Sequence, residues 1–221
     1  FWQLLYKKGR IIMNRIMKLA GILLMGFILA YMGGCASAGG EEKAASKKAG
    51  AEQAASPKGR PDVLVAYFSQ TGNTRTVAQK IAALTGGTLY EITPEIPYSK
   101  DALDYNVKDS RANREQNDAS ARPKLRGTPE HFQDVKVIFL GYPIWWGIEP
   151  RSIDTFSESL DFTGKTIIPF CTSGSSGIEK SEENLASLIP GAKWKKGRRF
   201  EKTVSEEDLK KWIKELDLSL H

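Results

Sequence analysis

The stretch that decides the fold is Val63-Leu64-Val65-Ala66-Tyr67-Phe68-Ser69-Gln70-Thr71-Gly72-Asn73-Thr74. Its first six residues are apolar without interruption, which is typical of a strand buried on both faces of a parallel sheet. From Asn73 onwards apolar residues recur at helical spacing, until Gly86 and Gly87 end the pattern. The stretch therefore predicts a buried strand, a short polar loop and a helix.

The chain from residue 61 to 221 repeats this alternation. Further strands are predicted at 88–93, 135–140 and 165–170, a weaker strand at 192–200, and helices at 150–159, 178–189 and 205–217. The last of these helices opens on Ser205-Glu206-Glu207-Asp208, which is a capping box. Strands that alternate with helices predict right-handed crossovers and a parallel α/β sheet.

One segment, residues 94–130, departs from the alternation and is treated as an insertion. It is rich in Asp, Arg, Asn and Ser, and its pattern predicts one helix around 99–119. An irregular connection of this length in a single domain often carries function.

The N-terminal region predicts export and lipidation. Residues 1–34 contain five bases and no acid, and their uncharged apolar part is shorter than the roughly 20 residues of a spanning helix, as in an export signal. The first residue is Phe, so Met13 or Met17 is the expected start. Cys35 after Gly33-Gly34 resembles the lipobox of bacterial lipoproteins, although Met32 replaces the usual Leu. The resemblance implies acylation of Cys35 and a lipid anchor on the extracytoplasmic side of a bacterial membrane; an ordinary signal or short anchor with an incidental cysteine is the alternative.

A flexible tether is predicted at residues 35–60, because the segment has no aromatic residue and no Val, Ile or Leu to bury. The charge is distributed accordingly. The net charge of +6 comes from +5 in residues 1–34 and +2 in the tether, while residues 61–221 carry −1. The basic balance is therefore no sign of a nucleic-acid partner, and the lysine-rich stretch 193–202 is interpreted as a solvated edge strand.

Several classes of chemistry do not fit the residues. Two cysteines and two histidines spell out neither a disulfide framework nor a metal-ligand cluster. Cys171 is not a phosphatase nucleophile, because the arginine that Cys-x5-Arg requires is replaced by Gly177. A serine hydrolase needs a histidine at the carboxyl end of the sheet, but His131 precedes the third predicted strand and His221 is the last residue.

Three polar or aromatic loops follow the three strongest strands. The first, Ser69 to Thr74, offers hydroxyl donors, backbone N–H groups and a helix start, which suit a phosphate; the alternative is a simple capped helix start. It is neither a Walker loop nor a dinucleotide turn. The second loop contains Pro143-Ile144-Trp145-Trp146-Gly147, and its two indoles suit a planar ligand. The third runs Cys171-Thr172-Ser173-Gly174-Ser175-Ser176-Gly177.

Together these loops resemble the flavodoxin family over residues 62–217. The resemblance implies a flavodoxin-like three-layer sandwich, with a five-stranded parallel sheet of order 2-1-3-4-5 and helices on both faces. It also implies an FMN cofactor, whose phosphate would lie on Ser69, Gln70, Thr71, Gly72, Asn73 and Thr74. Its ring would contact Pro143, Ile144, Trp145, Trp146 and Gly147, where a redox-linked peptide flip is expected. The contacts to its pyrimidine side would come from Thr172, Ser173, Gly174, Ser175 and Gly177.

The chain departs from the family pattern in the third loop, because residues 171–179 contain no aromatic side chain to cover the second flavin face. Either that face is open, or Tyr98, Tyr105 or a neighbouring chain covers it. The expected function is electron transfer to a redox partner protein or small-molecule acceptor, by a monomer or homodimer with no catalytic side chain of its own. The alternatives are an FMN-dependent oxidoreductase that reduces a small molecule such as a quinone with NAD(P)H, and a non-redox binding module.

Overall fold

The computed structural model of the protein describes residues 60–218. Its strands are β1 (Arg60–Tyr67), β2 (Gly87–Glu91), β3 (Val137–Pro143), β4 (Thr166–Thr172), β5 (Lys193–Trp194) and β6 (Arg198–Phe200). Its helices are α1 (Asn73–Thr85), α2 (Arg111–Asn117), α3 (Arg151–Glu158), α4 (Glu179–Leu188) and α5 (Glu206–Glu215). The predicted export signal, Cys35 and all but the last residue of the predicted tether lie outside the described residues.

The strands form one parallel sheet in the order β2-β1-β3-β4-β5. β6 pairs with β4 on the same side as β5, nearer the carboxyl end of β4. This is the predicted order 2-1-3-4-5, and the predicted flavodoxin-like α/β fold is confirmed. β1 and β3 lie side by side in the middle, so the loops that follow them open at the same edge of the sheet. That edge is the topological switch point, where ligands bind in open α/β sheets.

The alternation of side chains along β1 supplies both layers of the core. Val63 and Val65 pack with α1 and α5, while Leu64 and Ala66 pack on the opposite face with α3 and α4. These four side chains are at most 2% exposed. The uninterrupted apolar run of β1 thus follows from burial on both faces, as predicted.

The fifth position of the sheet differs from the predicted continuous strand 192–200, because it holds two short strands. Thr166 N–H donates to Lys136 O on the β3 side, so by alternation Pro169 faces the fifth position, where it has no N–H to donate. The edge chain bulges there by one residue, since Thr166 pairs with Lys193 but Phe170 with Arg198. Gly197 N–H donates its hydrogen bond to Glu182 Oε1 instead of to β4, at 2.6 Å.

The insertion is less helical than predicted. In place of a helix around 99–119 it contains a 3-10 turn, Asp101–Leu103, and the two-turn helix α2. Its two ends are tied together where Glu95 N–H donates to Lys124 O and Arg126 N–H donates to Thr93 O, each at 2.8 Å. Within residues 60–218, no helix has the length and apolar character needed to cross a membrane.

Candidate functional site

The first loop, residues 69–74, joins β1 to α1 at the carboxyl edge of the sheet. Ser69 is only 6% exposed, and its Oγ is buried without a hydrogen-bond partner among the described residues. Gly72 has φ 85° and sits at the N-cap of α1, where no side chain caps the helix. A buried hydroxyl that lacks a partner is costly, so this loop is suited to a ligand with strong acceptor oxygens.

Thr74 ties the first loop to the neighbouring strand end. Its Oγ1 lies 2.7 Å from Thr172 Oγ1, and both side chains are buried. Thr172 and Cys171, which the sequence places in the third loop, are the last residues of β4. Cys171 is fully buried, and this burial raises the pKa of its thiol to about 12.

The second loop contains a tight turn, residues 145–148, which we call the tryptophan turn. Trp145 N–H donates to Ile148 O at 2.8 Å and Ile148 N–H donates back to Trp145 O at 3.2 Å. Trp146 has φ 51° and Gly147 has φ 88°, which together define a type I′ turn. A tryptophan in the left-handed region is uncommon and strained, and such residues cluster at functional sites.

The two adjacent indoles have different surroundings. Trp145 packs edge-on against Phe68 and Tyr98, with both ring centroids 5.5 Å away, so one part of it belongs to the core. Trp146 stands at the tip of the turn with 49% of its surface exposed. Tyr98 is buried beside Trp145 rather than placed in the cleft, and its hydroxyl donates to Glu115.

A cleft of about 400 Å³ connects the first two loops with the insertion. It is lined by Ser69, Gln70, Thr71, Thr74, Pro143, Ile144, Trp145, Trp146, Leu103, Tyr105 and Ala112. The first eight are predicted site residues, and Tyr105 is one of the two tyrosines predicted as a possible cover. Sequence reasoning missed Leu103 and Ala112, for which the only signal is the unusual length of the insertion.

The remaining predicted contacts lie outside the cleft lining, and their role stays a prediction. Gly72 and Asn73 open α1, and Gly147 forms the tip of the tryptophan turn. In the third loop, Ser173, Gly174, Ser175 and Gly177 follow β4 near the edge strand. Arg199 Nη1 donates to Ser173 O at 2.9 Å and to Gly174 O at 3.3 Å, so a β6 side chain holds this loop.

A buried carboxyl pair lies directly after the tryptophan turn. Glu149 is fully buried, and its Oε1 accepts a hydrogen bond from Asn184 Nδ2. Burial raises the pKa of Glu149 to about 8, the hydrogen bond from Asn184 lowers it, and the nearby Asp154 carboxyl raises it further. Asp154 is itself held by Arg151 Nη1 at 2.9 Å. Burial therefore favours the protonated form of the Glu149 carboxyl.

The Flavodoxin family model matches residues 62–216 of the chain, which is nearly all of the part that the structure describes. The chain belongs to the flavodoxin family. The resemblance read from the three loops is confirmed by this match at the level of the family.

Solved structures agree with this flavodoxin assignment. A candidate flavoprotein from Bacteroides eggerthii is 41% identical, with a TM-score of 0.68 over 72% of this chain and 99% of that chain. A candidate flavoprotein from Bacteroides uniformis is 45% identical, with a TM-score of 0.66 over 69% and 97%. A flavoprotein from Lactobacillus acidophilus in complex with FMN is 19% identical, with a TM-score of 0.53 over 69% and 98%, and shares the fold. No curated protein matches the chain.

FMN is the cofactor expected for a flavodoxin, and the residues present fit it. The unpartnered Ser69 hydroxyl and the neutral donors around it suit a phosphate, while the indoles beside them suit a planar ring. A volume of about 400 Å³ lies within the usual range for small-molecule sites. Groups suited to a phosphate and groups suited to a planar ring thus line one cleft of this flavodoxin.

Proposed function

We propose that this flavodoxin binds FMN in the cleft and acts as an electron carrier. The observation that carries the proposal is the buried, unpartnered Ser69 Oγ in the same cleft as Trp145 and Trp146. Bound FMN supplies the electron transfer, and the protein supplies binding and orientation. Ser69 and Thr71 offer hydroxyl donors to the phosphate, and the indoles exclude water from the ring.

The side chains of the cleft favour a carrier over an enzyme. Among its described lining residues there is no His, Asp, Glu, Lys or Cys. General acid–base catalysis at neutral pH needs a group with a pKa near 7 within reach of the substrate. No lining side chain meets that need, so the support is for electron transfer without proton transfer by the protein.

One observation favours a second candidate, an oxidoreductase that reduces a small molecule such as a quinone with NAD(P)H. Tyr105 is 73% exposed and Trp146 is 49% exposed, so aromatic surface at the cleft is open to a second planar ligand. Steady-state turnover with reduced nicotinamide and a quinone would support the enzyme. A reductive titration that proceeds in two separate one-electron steps would support the carrier.

The central experiment is a titration of the full chain, purified in mild detergent, with FMN under flavin fluorescence. We expect saturable binding, and we expect Ser69→Ala to weaken it by about 10- to 100-fold, because a hydrogen bond to a charged group is lost. Ser187→Ala, a change at an exposed serine of α4, is the matched control and should bind as the wild type. Lack of binding at micromolar FMN would contradict the proposal and favour a non-redox binding module.

We also propose that Cys35 carries a lipid anchor, which would place the flavodoxin domain on the extracytoplasmic side of a membrane. The support is the small-residue pair before Cys35 behind an apolar, basic-flanked segment. Dual acylation gives firm anchoring, since each buried methylene contributes about 0.8 kcal/mol. Detergent phase partition should place the wild type and Cys171→Ala in the detergent phase and Cys35→Ala in the aqueous phase. A Cys35→Ala variant that stays in the detergent phase contradicts the anchor.

A further inference from the structure

Exposed aromatic side chains reach the cleft from two segments that are far apart in the chain. Tyr105 belongs to the insertion and Trp146 to the tryptophan turn, and their side chains are 73% and 49% exposed. Side chains this open are not fixed by core packing. Their positions depend on what holds the backbone of each segment.

A buried amide of α2 holds the segment that carries Tyr105. Asn113 is 5% exposed, and its Nδ2 donates to Tyr105 O at 3.1 Å and to Val107 O at 2.7 Å. The same residue is fixed at the start of the helix, since Asn113 N–H donates to the N-cap Ser110 Oγ at 3.3 Å. The Asn113 side-chain amide therefore donates both of its hydrogen bonds to the short loop of residues 105–107.

A second buried amide of the same helix holds the tryptophan turn. Gln116 is 7% exposed, and its Nε2 donates to Trp145 O at 3.0 Å and to Glu149 O at 3.1 Å. Its Oε1 accepts from Arg151 N–H at 3.2 Å. The Gln116 side chain thus binds the backbone on either side of the tryptophan turn. It makes no hydrogen bond to Trp146 or Gly147 at the tip of the turn.

The two amides lie three residues apart, so they stand close together on the same side of α2. Ala112, next to Asn113, is 1% exposed and lines the cleft. One short helix therefore contacts the cleft and holds the backbone of both aromatic segments. Because the helix is rigid over two turns, the spacing between its two amides is fixed.

We propose that α2 sets the separation of the two aromatic segments, with Asn113 and Gln116 as positioning residues for the isoalloxazine ring. The inference rests on the proposed binding of FMN in the cleft. Neither amide contacts the first loop, so the effect should fall on the ring and spare the phosphate. That separation provides a test, because riboflavin has the same ring without the phosphate.

The experiment measures dissociation constants for FMN and for riboflavin with the full chain in mild detergent. The variants are Asn113→Leu, Gln116→Leu and their double variant, which keep similar volumes and lose the amide bonds. Asn117→Leu is the matched control, since Asn117 is an exposed amide residue of the same helix. Circular dichroism and thermal melting establish that each variant is folded at the assay temperature. Where a leucine variant is not, the serine variant replaces it, because water can then reach the freed carbonyls.

Each single variant should weaken FMN and riboflavin by the same factor, of about 10-fold or more, so that the ratio of the two constants stays at its wild-type value. The double variant should weaken binding by less than the product of the single factors, since the loss of either amide already frees one segment from the other. A role limited to stability would leave both dissociation constants at their wild-type values in variants that are folded at the assay temperature, because only the folded fraction would change.

Three results would overturn the inference. They are folded variants that bind riboflavin as the wild type does, a double variant equal to the product of the singles, and a control that weakens as much as the variants. A changed ratio would place the effect at the phosphate and also count against it. A wild-type chain that binds neither flavin would instead overturn the proposed function, and this inference with it.

Discussion

The two ends of the cleft are built in different ways. At the phosphate end, Ser69 follows β1 by two residues and Thr74 lies in the first turn of α1, and the Thr74–Thr172 hydroxyl contact of 2.7 Å joins the start of α1 to the end of β4. At the aromatic end, Tyr105 lies on an irregular connection whose position depends on Asn113. The phosphate end lies beside regular elements of the sheet layer, whereas the aromatic end is joined to the fold through the side-chain amides of Asn113 and Gln116, so substitutions should separate the two.

The largest effect is expected where the sheet beneath the phosphate end is tightest. A Cβ added to Gly141 in β3 would lie 2.1 Å from Cζ of Phe170 in β4, closer than any real contact. Gly141→Ala should therefore lower the free energy of unfolding by about 3 kcal/mol and the Tm by roughly 10 °C. Thermal melting of the flavin-free protein measures it.

Gly174→Ala is the matched control, because a Cβ at Gly174 meets nothing within 4 Å. Its Tm should equal that of the wild type. A Gly141→Ala variant that melts within 2 °C of the wild type, on the scale of about 3 °C per kcal/mol for a domain of this size, would show that the Phe170 ring can move aside. The phosphate end would then be no more rigid than the aromatic end.

The next effect belongs to the aromatic end and depends on pH. Burial raises the pKa of Glu149 to about 8. The stability that the neutral carboxyl contributes is therefore complete at pH values below the ordinary pKa of a glutamate, and it is lost as the pH rises through 8. The wild-type Tm should therefore fall between pH 5.5 and pH 8.5. Glu149→Gln, which imitates the protonated form, should remove that part of the fall and raise the Tm at pH 8.5 by roughly 5–10 °C.

Glu183→Gln on the exposed face of α4 serves as the control for the charge that is removed. It should leave the pH dependence of the Tm as in the wild type. If Glu149→Gln also melts along the wild-type curve, the buried carboxyl pair does not govern the pH dependence of stability. The stability of the aromatic end would then not depend on the ionisation of Glu149. The two ends of the cleft would differ only in the hydrogen bonds that hold them.

The smallest effect concerns the hydroxyl pair that joins the start of α1 to the end of β4. Thr74→Val should cost about 1–2 kcal/mol in the flavin-free protein, because Thr172 Oγ1 is left buried without its partner. Replacement of both threonines by valine should cost less than Thr74→Val alone, since no polar group is then left unpaired. Urea unfolding of the wild type, Thr74→Val and the double variant measures the difference, and a double variant less stable than Thr74→Val would contradict this account.

The phosphate end was predictable because backbone rules determine it. The apolar run of β1, the loop of Ser69 to Thr74 and the spacing of Val77 and Ile81 each indicate one structure, and the structure has them in those places. The fifth strand was predicted only in part. Pro169 breaks its pairing from the neighbouring strand, and a pattern within residues 192–200 carries no information about that contact.

The aromatic end was not predictable for a different physical reason. Helix α2 has the sequence Arg-Ala-Asn-Arg-Glu-Gln-Asn, which shows no apolar face. Asparagine and glutamine are ordinarily exposed, so Asn113 and Gln116 read as surface residues until the carbonyls they bind are known. The same limit hides Leu103 and Ala112, which approach the cleft only because the insertion folds back on it.

Because Cys171 is buried in β4, the reactivity of its thiol can report local opening of the sheet at this position. The thiolate is the form that reacts with alkylating reagents, and a pKa raised to about 12 leaves almost none of it at neutral pH. β6 pairs with β4 over only three residues, and Cys171 is one of their partners. The rate of alkylation at Cys171 therefore reports how often this edge of the sheet opens. A ligand that binds the native state should lower that alkylation rate as its occupancy of the protein rises.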